Sequence, residues 1–138
     1  MSEIQHSIAT LRIWGDALLP EEISRMLGCE PTDAETKGQT LTGKVSGMKR
    51  IARTGTWRLR ATDREPEDLE AQIDELLEQL TDDLAVWSEI SRRFKMDLFC
   101  GLFMKSTNDG LCISSKQLAA LGLRGIELEL DIYDPTRP

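Results

Sequence analysis

Hydrophobic and polar residues alternate over 7–14, where Ala9, Leu11 and Ile13 interleave with Thr10, Arg12 and Trp14 at the two-residue period of a half-buried strand. Gly15-Asp16 ends it. Pro20, with Glu21 and Glu22, then supplies an N1 proline and first-turn acids for a helix that buries Ile23, Met26 and Leu27 and stops at Gly28. After Pro31 a short edge strand is expected over 32–36, because proline cannot donate to a sheet ladder. A second alternating strand over 56–62 sends Trp57, Leu59 and Ala61 one way and Arg58 and Arg60 the other. From Pro66 on, Leu69, Ile73, Leu76, Leu77 and Leu80 trace one helical face. Thr81 or Asp82 caps a following helix that turns Val86, Trp87, Ile90 and Phe94 inward.

The run 95–104 is apolar on both sides, Leu98, Cys100, Leu102 and Met104 against Phe99 and Phe103, and such a strand needs cover on both faces. Thr107-Asn108-Asp109-Gly110 is turn chemistry. Ser114 and Gln117 have capping-box spacing for a short helix that buries Leu118 and Leu121 and ends at Gly122. In the last strand, over 126–133, Ile126, Leu128, Leu130 and Ile132 point in while Glu127, Glu129 and Asp131 point out; Asp134-Pro135 then leaves a short polar tail. Strands separated by helices, with one sheet face apolar and the other charged, predict an α+β domain. Its antiparallel or mixed sheet has four to five strands with helices mainly on one face, a ferredoxin-like variant with an added strand. All 138 residues form a single domain with a core over about 7–133, since a chain of this length supports one core.

The segment 38–54 has neither period and contains Gly43 and Gly47, so a long exposed loop is expected there. Charge makes it more interesting. The formal net charge is −7, yet 37–64 holds eight basic residues against the single acid Asp63, and 65–89 holds ten acids and no base. Such blocks mean either an anionic partner or two segments that face one another in the fold. The partner- or anion-binding candidates are Lys44, Lys49, Arg50, Arg53, Arg58 and Arg60. Trp14, Phe99 and Phe103 are interface candidates on the sheet face, to be covered by the loop or by a second copy of the chain, because large exposed apolar patches are unusual in monomers. A homodimer through that face is therefore one expectation.

Chemistry narrows the field. The only histidine is His6, expected to be an exposed terminal residue, so no Ser or Cys nucleophile has an evident base. Cys29, Cys100 and Cys112 are odd in number, far apart and without CxxC spacing, which points to reduced thiols and to neither a disulfide framework nor a zinc site. No catalytic residue, metal ligand or cofactor is assigned. Glu127, Glu129 and Asp131 could serve as acid, base or metal ligands, but cross-strand pairing with Arg12, Arg58 and Arg60 explains them more simply. The glycines of 38–47 lack both the GxxxxGK[ST] and the GxGxxG patterns, which weakens a phosphate loop. Single-stranded nucleic acid could use the arginines and aromatic rings, but the acidic total and the missing ribonucleoprotein motif disfavour it. Nothing predicts a membrane span or a secretory leader, so a cytoplasmic location is expected by default.

Several short stretches carry a resemblance: Ala9-Thr10-Leu11-Arg12-Ile13-Trp14-Gly15-Asp16, Leu27-Gly28-Cys29-Glu30-Pro31, Lys37-Gly38, Gly55-Thr56-Trp57, the long acidic helix and Leu130-Asp131-Ile132-Tyr133. Together they resemble the bacterial domain-of-unknown-function family 4279 from Ser7 to Tyr133. That resemblance implies a compact α+β domain of bacterial origin and carries over no site residue. The function expected from the residues is a protein-interaction module, of immunity type in its most specific form, that uses the basic loop and the neighbouring sheet face. The alternatives are a small-anion or metal-dependent enzyme and a single-stranded nucleic-acid binder.

Overall fold

The first alternating strand of the chain lies at the centre of the sheet, flanked on both edges, its apolar side chains on the helix-covered face. The computed structural model describes residues 2–135, so the tail beyond Pro135 lies outside the described residues. The elements are β1 (Ser2–Glu3), β2 (His6–Gly15), α1 (Pro20–Leu27), β3 (Asp33–Glu35), β4 (Thr40–Thr42), β5 (Lys49–Ile51) and β6 (Gly55–Arg60). They continue with α2 (Leu69–Glu78), α3 (Leu84–Arg93), β7 (Lys95–Phe103), β8 (Asp109–Gly110), α4 (Ser115–Leu123) and β9 (Glu127–Tyr133). Five strands form one mixed sheet in the order β3-β6-β2-β7-β9. β2 runs antiparallel to both β6 and β7, β3 antiparallel to β6, and β9 parallel to β7. β2-α1-β3 and β6-α2-α3-β7 are thus two interleaved crossovers, each with a strand of the other between its own two, and α4 returns the chain to β9. β1 pairs with β8 and β4 with β5 in two small separate sheets.

The helices cover one face. Ala9, Leu11, Ile13, Trp57, Leu98 and Cys100 share a buried cluster with Ile23 and Leu27 of α1, Leu69, Ile73 and Leu76 of α2, Trp87 and Ile90 of α3 and Leu121 of α4. Helix ends follow local chemistry. Pro20 opens α1, and Gly28 closes it with φ 74°, a left-handed conformation that costs glycine nothing sterically. α2 begins at Leu69 rather than at Pro66, because Asp68 supplies the cap by accepting from the Ala71 amide at 3.1 Å. Asp83, one or two residues past the expected Thr81 or Asp82, caps α3 by accepting from Ala85 N–H at 3.0 Å. Ser114 accepts from Gln117 N–H at 3.3 Å as its spacing predicts.

Three expectations are corrected. The segment 38–54 is not structureless: β4 and β5 form an antiparallel hairpin, pairing Thr40 with Ile51 and Thr42 with Lys49, closed by Gly43 N–H to Met48 O at 2.8 Å. Leu118 is half exposed, because α4 turns Gln117 and Leu121 to the core and runs on to Leu123, with the left-handed glycine at Gly125 instead of Gly122. Leu130 and Ile132 lie on the helix side of β9 yet are 44% and 57% exposed, since β9 is the outer strand and the helical layer stops short of its second half.

Candidate functional site

The sheet face opposite the helices is built as rows of side chains running across the strands. One row is Asp33, Arg58, Arg12, Asp97 and Glu127, adjacent in register from β3 to β9. Two arginines stand side by side in it, and each is drawn to its own acid. Arg12 donates two hydrogen bonds to Asp97, Nε to Oδ1 at 2.8 Å and Nη2 to Oδ2 at 2.6 Å, while Arg58 Nη1 donates to Asp33 Oδ1 at 2.7 Å. The Asp97 hydrogen bonds hold the Arg12 guanidinium more firmly protonated than an ordinary arginine, against the opposing effect of burial. The same guanidinium lies 4.3 Å over the Phe99 ring and 5.5 Å from that of Trp14.

A second row consists of rings. Phe103 is stacked between His6, at 5.0 Å, and Tyr133, at 4.6 Å with planes 6° apart. Tyr133 donates from its hydroxyl to Asp131 at 2.6 Å, which raises its pKa. His6 is therefore not the exposed terminal residue expected: its side chain is mostly buried, with Asp63 at 3.5 Å and Glu65 at 3.7 Å. These contacts answer the question of what covers the phenylalanines. Arg12 covers Phe99, and His6 and Tyr133 bracket Phe103, so the hairpin is not needed for that role.

The hairpin instead rises beside the β3–β6 edge. Its base is pinned by Gly38 N–H to Ala52 O and Ala52 N–H to Gln39 O, both 2.9 Å, around the buried Ala52. Lys37 donates to Asp16 at 3.1 Å, and with the Thr54 hydrogen bond this keeps the Asp16 carboxyl below its ordinary range. Beyond the base little touches the body of the protein: Val45 is fully exposed, Met48 74% and Ile51 66%. Where the hairpin meets the sheet, a cleft runs over Thr54, Thr56 and Arg58, with Arg12 and Trp14 on one side and Arg50 and Arg53 on the other. Thr56 is buried there, and its hydroxyl has no hydrogen-bond partner.

Charge in the basic segment is answered from nearby. Arg50 pairs with Glu35 at 2.7 Å, Arg58 with Asp33, Arg60 with Asp63 at 2.9 Å, and Lys37 with Asp16. Among the described residues Arg64 is the one cation of the basic segment paired with the acidic helix, at 3.6 Å from Glu75, so the basic and acidic segments do not face one another as blocks. Among the described residues Lys44, Lys49 and Arg53 form no ion pair. Contrary to the expected pairing, among the described residues Glu127, Glu129 and Asp131 form no direct ion pair with Arg12, Arg58 or Arg60, because β7 stands between β9 and β2 and supplies Asp97 in their place; the Glu129 charge only adds to holding Arg12 protonated. Those three acids lie three strands from β6, roughly 14 Å at the usual strand spacing, so the basic loop and the acids do not form one site.

Two of the three thiols are poorly placed for nucleophilic chemistry, while Cys112, expected in the core, is exposed. Burial, with Asp97 adding to it, pushes the Cys100 thiol up to about 12, and burial also raises Cys29. Among the described residues no group of three or more His, Cys, Asp or Glu side chains is placed to hold a metal ion. No helix of the described residues is long and apolar enough to cross a membrane. Two site residues escaped the sequence reading. Asp97 was signalled by being the one acid in the apolar strand Lys95–Phe103, and His6 by its two-residue spacing from Ile8 and Thr10 on the mixed face of β2.

The geometry defines an α+β domain with one helix-covered sheet face, one open face closed by its own ion pairs and ring stacks, and a projecting basic hairpin. The chain belongs to the family described as Domain of unknown function (DUF4279), whose model matches residues 3–135. No curated protein and no solved structure matches it.

Proposed function

We propose that this protein is a recognition module that binds an acidic surface of a partner protein with the β4–β5 hairpin and the cleft at its base. The observation that carries this reading is the hairpin itself, which presents Val45, Met48 and Ile51 to solvent beside three unanswered cations, Lys44, Lys49 and Arg53. Exposed apolar side chains next to charges without local partners are the composition of a binding surface, and they add nothing to the core. Arg58 and Arg60, each held by one acid, adjoin this surface on the sheet as hydrogen-bond donors that add no net charge. Trp14 lines the cleft. In its most specific form the reading is that of an immunity-type protein of the bacterial cytoplasm, a small domain that covers another protein; the chain's length and separate basic protrusion fit that use.

A second reading rests on the orphan Thr56 hydroxyl. The cleft would take a small anion there, with Arg53 as the cation not already committed to a carboxylate. Single-stranded nucleic acid is the weaker candidate, because Phe103 is stacked on both faces and the Arg12 guanidinium lies over Phe99, which leaves these rings poor platforms for a base.

Titrations of the full chain with an acidic, Trp-containing peptide, with inorganic phosphate and with a short oligothymidylate separate these readings. The peptide is expected to bind in a salt-sensitive way, and the triple variant Lys44→Glu, Lys49→Glu, Arg53→Glu to lose that binding while unfolding at the same temperature as the parent. Tight binding of phosphate that Thr56→Val abolishes moves the assignment to the anion reading. Preference for the oligonucleotide overturns the protein-recognition reading.

A further inference from the structure

The outer strand β9 is built differently from the other edge of the sheet. β3 is three residues long, whereas β9 runs for seven, Glu-Leu-Glu-Leu-Asp-Ile-Tyr, with β7 on one side and, among the described residues, no strand on the other. Long edge strands are templates for pairing, and proteins blunt them with lysine, proline, bulges or a covering element. β9 has no lysine or proline, pairs with β7 in unbroken register from Glu127 to Tyr133, and is left uncovered on its helix side at Leu130 and Ile132. Its other side carries Glu127 and Glu129, both exposed and neither in an ion pair among the described residues, followed by Asp131.

We infer that β9 is a strand-addition site for an extended segment of a partner protein in which basic and apolar residues alternate. Main-chain hydrogen bonds to the edge give such a complex its affinity, and alternate side chains give it specificity. Each new strand residue on the open-face side stands opposite Glu127, Glu129 or Asp131, and each on the helix side extends the apolar surface of Leu130 and Ile132. A second copy of β9 fails this test. Any antiparallel self-pairing that keeps the faces matched and joins more than three residues of β9 sets Glu127, Glu129 or Asp131 opposite one another, and like charges directly opposite destabilise a sheet. The acids thus exclude the chain's own edge while selecting a cationic one.

This site is separate from the hairpin, which lies across the sheet from it. The test uses the full chain and a blocked seven-residue peptide alternating Lys and Val, matched to the seven residues of β9. Saturable binding is expected, with backbone amide shifts centred on Glu127–Tyr133. Glu127→Lys with Glu129→Lys, both exposed positions, should weaken the Lys-Val peptide about tenfold and create binding of the corresponding Glu-Val peptide. The hairpin triple variant should bind the Lys-Val peptide as the parent does. Equal binding of a peptide with the same residues in two blocks, shifts that fall elsewhere, or a homodimer whose interface maps to β9 would each overturn the assignment.

Discussion

Arg12 is held at once by a two-point hydrogen bond to Asp97, by its ring contacts and by its central place in the sheet, and substitutions separate these contributions. Asp97 has a side chain only 6% exposed, so Arg12→Ala leaves a nearly buried carboxylate without its counter-charge and uncovers Phe99. The expected loss is about 2–3 kcal/mol in urea unfolding. Arg12→Lys keeps the charge but not the planar fork, and should lose about 1 kcal/mol, while Asp97→Ala combined with Arg12→Ala should cost less than the two single changes together. A loss below about 0.5 kcal/mol for Arg12→Ala would place the pair among ordinary surface ion pairs. Part of this was legible in the chain: the alternation of β2 and β6 put Arg12, Arg58 and Arg60 on the mixed face. Their partners were not legible, because which strand lies beside β2 is decided by crossovers and not by periodicity. The alternation of β9 offers Glu127 and Glu129 as partners, but β7 stands between them and the arginines and supplies Asp97.

At the scale of the element, α2 shows what a helical stripe can conceal. Leu69, Ile73, Leu76 and Leu80 are buried as their spacing predicts, but Gln72 sits among them, fully buried. It accepts from the Ser7 hydroxyl at 2.7 Å and donates to the carbonyls of Ser7 at 2.9 Å and Thr62 at 3.0 Å, tying α2 to the start of β2 and the exit of β6. Gln72→Leu keeps the volume but takes the acceptor from the buried Ser7 hydroxyl and a donor from the Thr62 carbonyl, while the Ser7 carbonyl keeps the Arg64 amide, so a loss of about 1–3 kcal/mol is expected by thermal or urea unfolding. A neutral Gln72→Leu would show that water enters to satisfy them. A polar residue at i+3 in an apolar stripe was the available signal. The hairpin left none of this kind. Its strands β4 and β5 are three residues each and almost wholly exposed, so no apolar alternation marks them. Turn geometry at Gly43 and Gly47 and the pinning of Ala52 create it instead. The same limit explains α4 and β9: sequence period finds the apolar face of an element, but Leu118, Leu130 and Ile132 are exposed because of where the neighbouring layer ends.

For the whole molecule, the separation of charge sets how copies of the chain meet. A homodimer through the open face was attractive while Phe99 and Phe103 needed cover, but Arg12, His6 and Tyr133 cover them from within the same chain. The net charge of −7 adds general repulsion. One attraction survives, between the cations of the hairpin and the exposed acids of another molecule's 65–89 segment, since among the described residues Arg64 with Glu75 is the one ion pair that joins the two regions within a chain. That contact is heterologous and does not close on itself, so it yields transient chains rather than a defined dimer. Light scattering coupled to gel filtration should therefore give a monomer near 15.5 kDa at physiological salt, where the screening length is about 8 Å. At about 0.01 M salt the screening length grows to about 30 Å, and the apparent mass should rise with concentration. Reversing Lys44, Lys49 and Arg53 to glutamate should remove that rise, because it deletes the cations of the hairpin and its base that form no ion pair among the described residues. A dimer that persists unchanged at raised salt would return the interface to the sheet and its apolar surface.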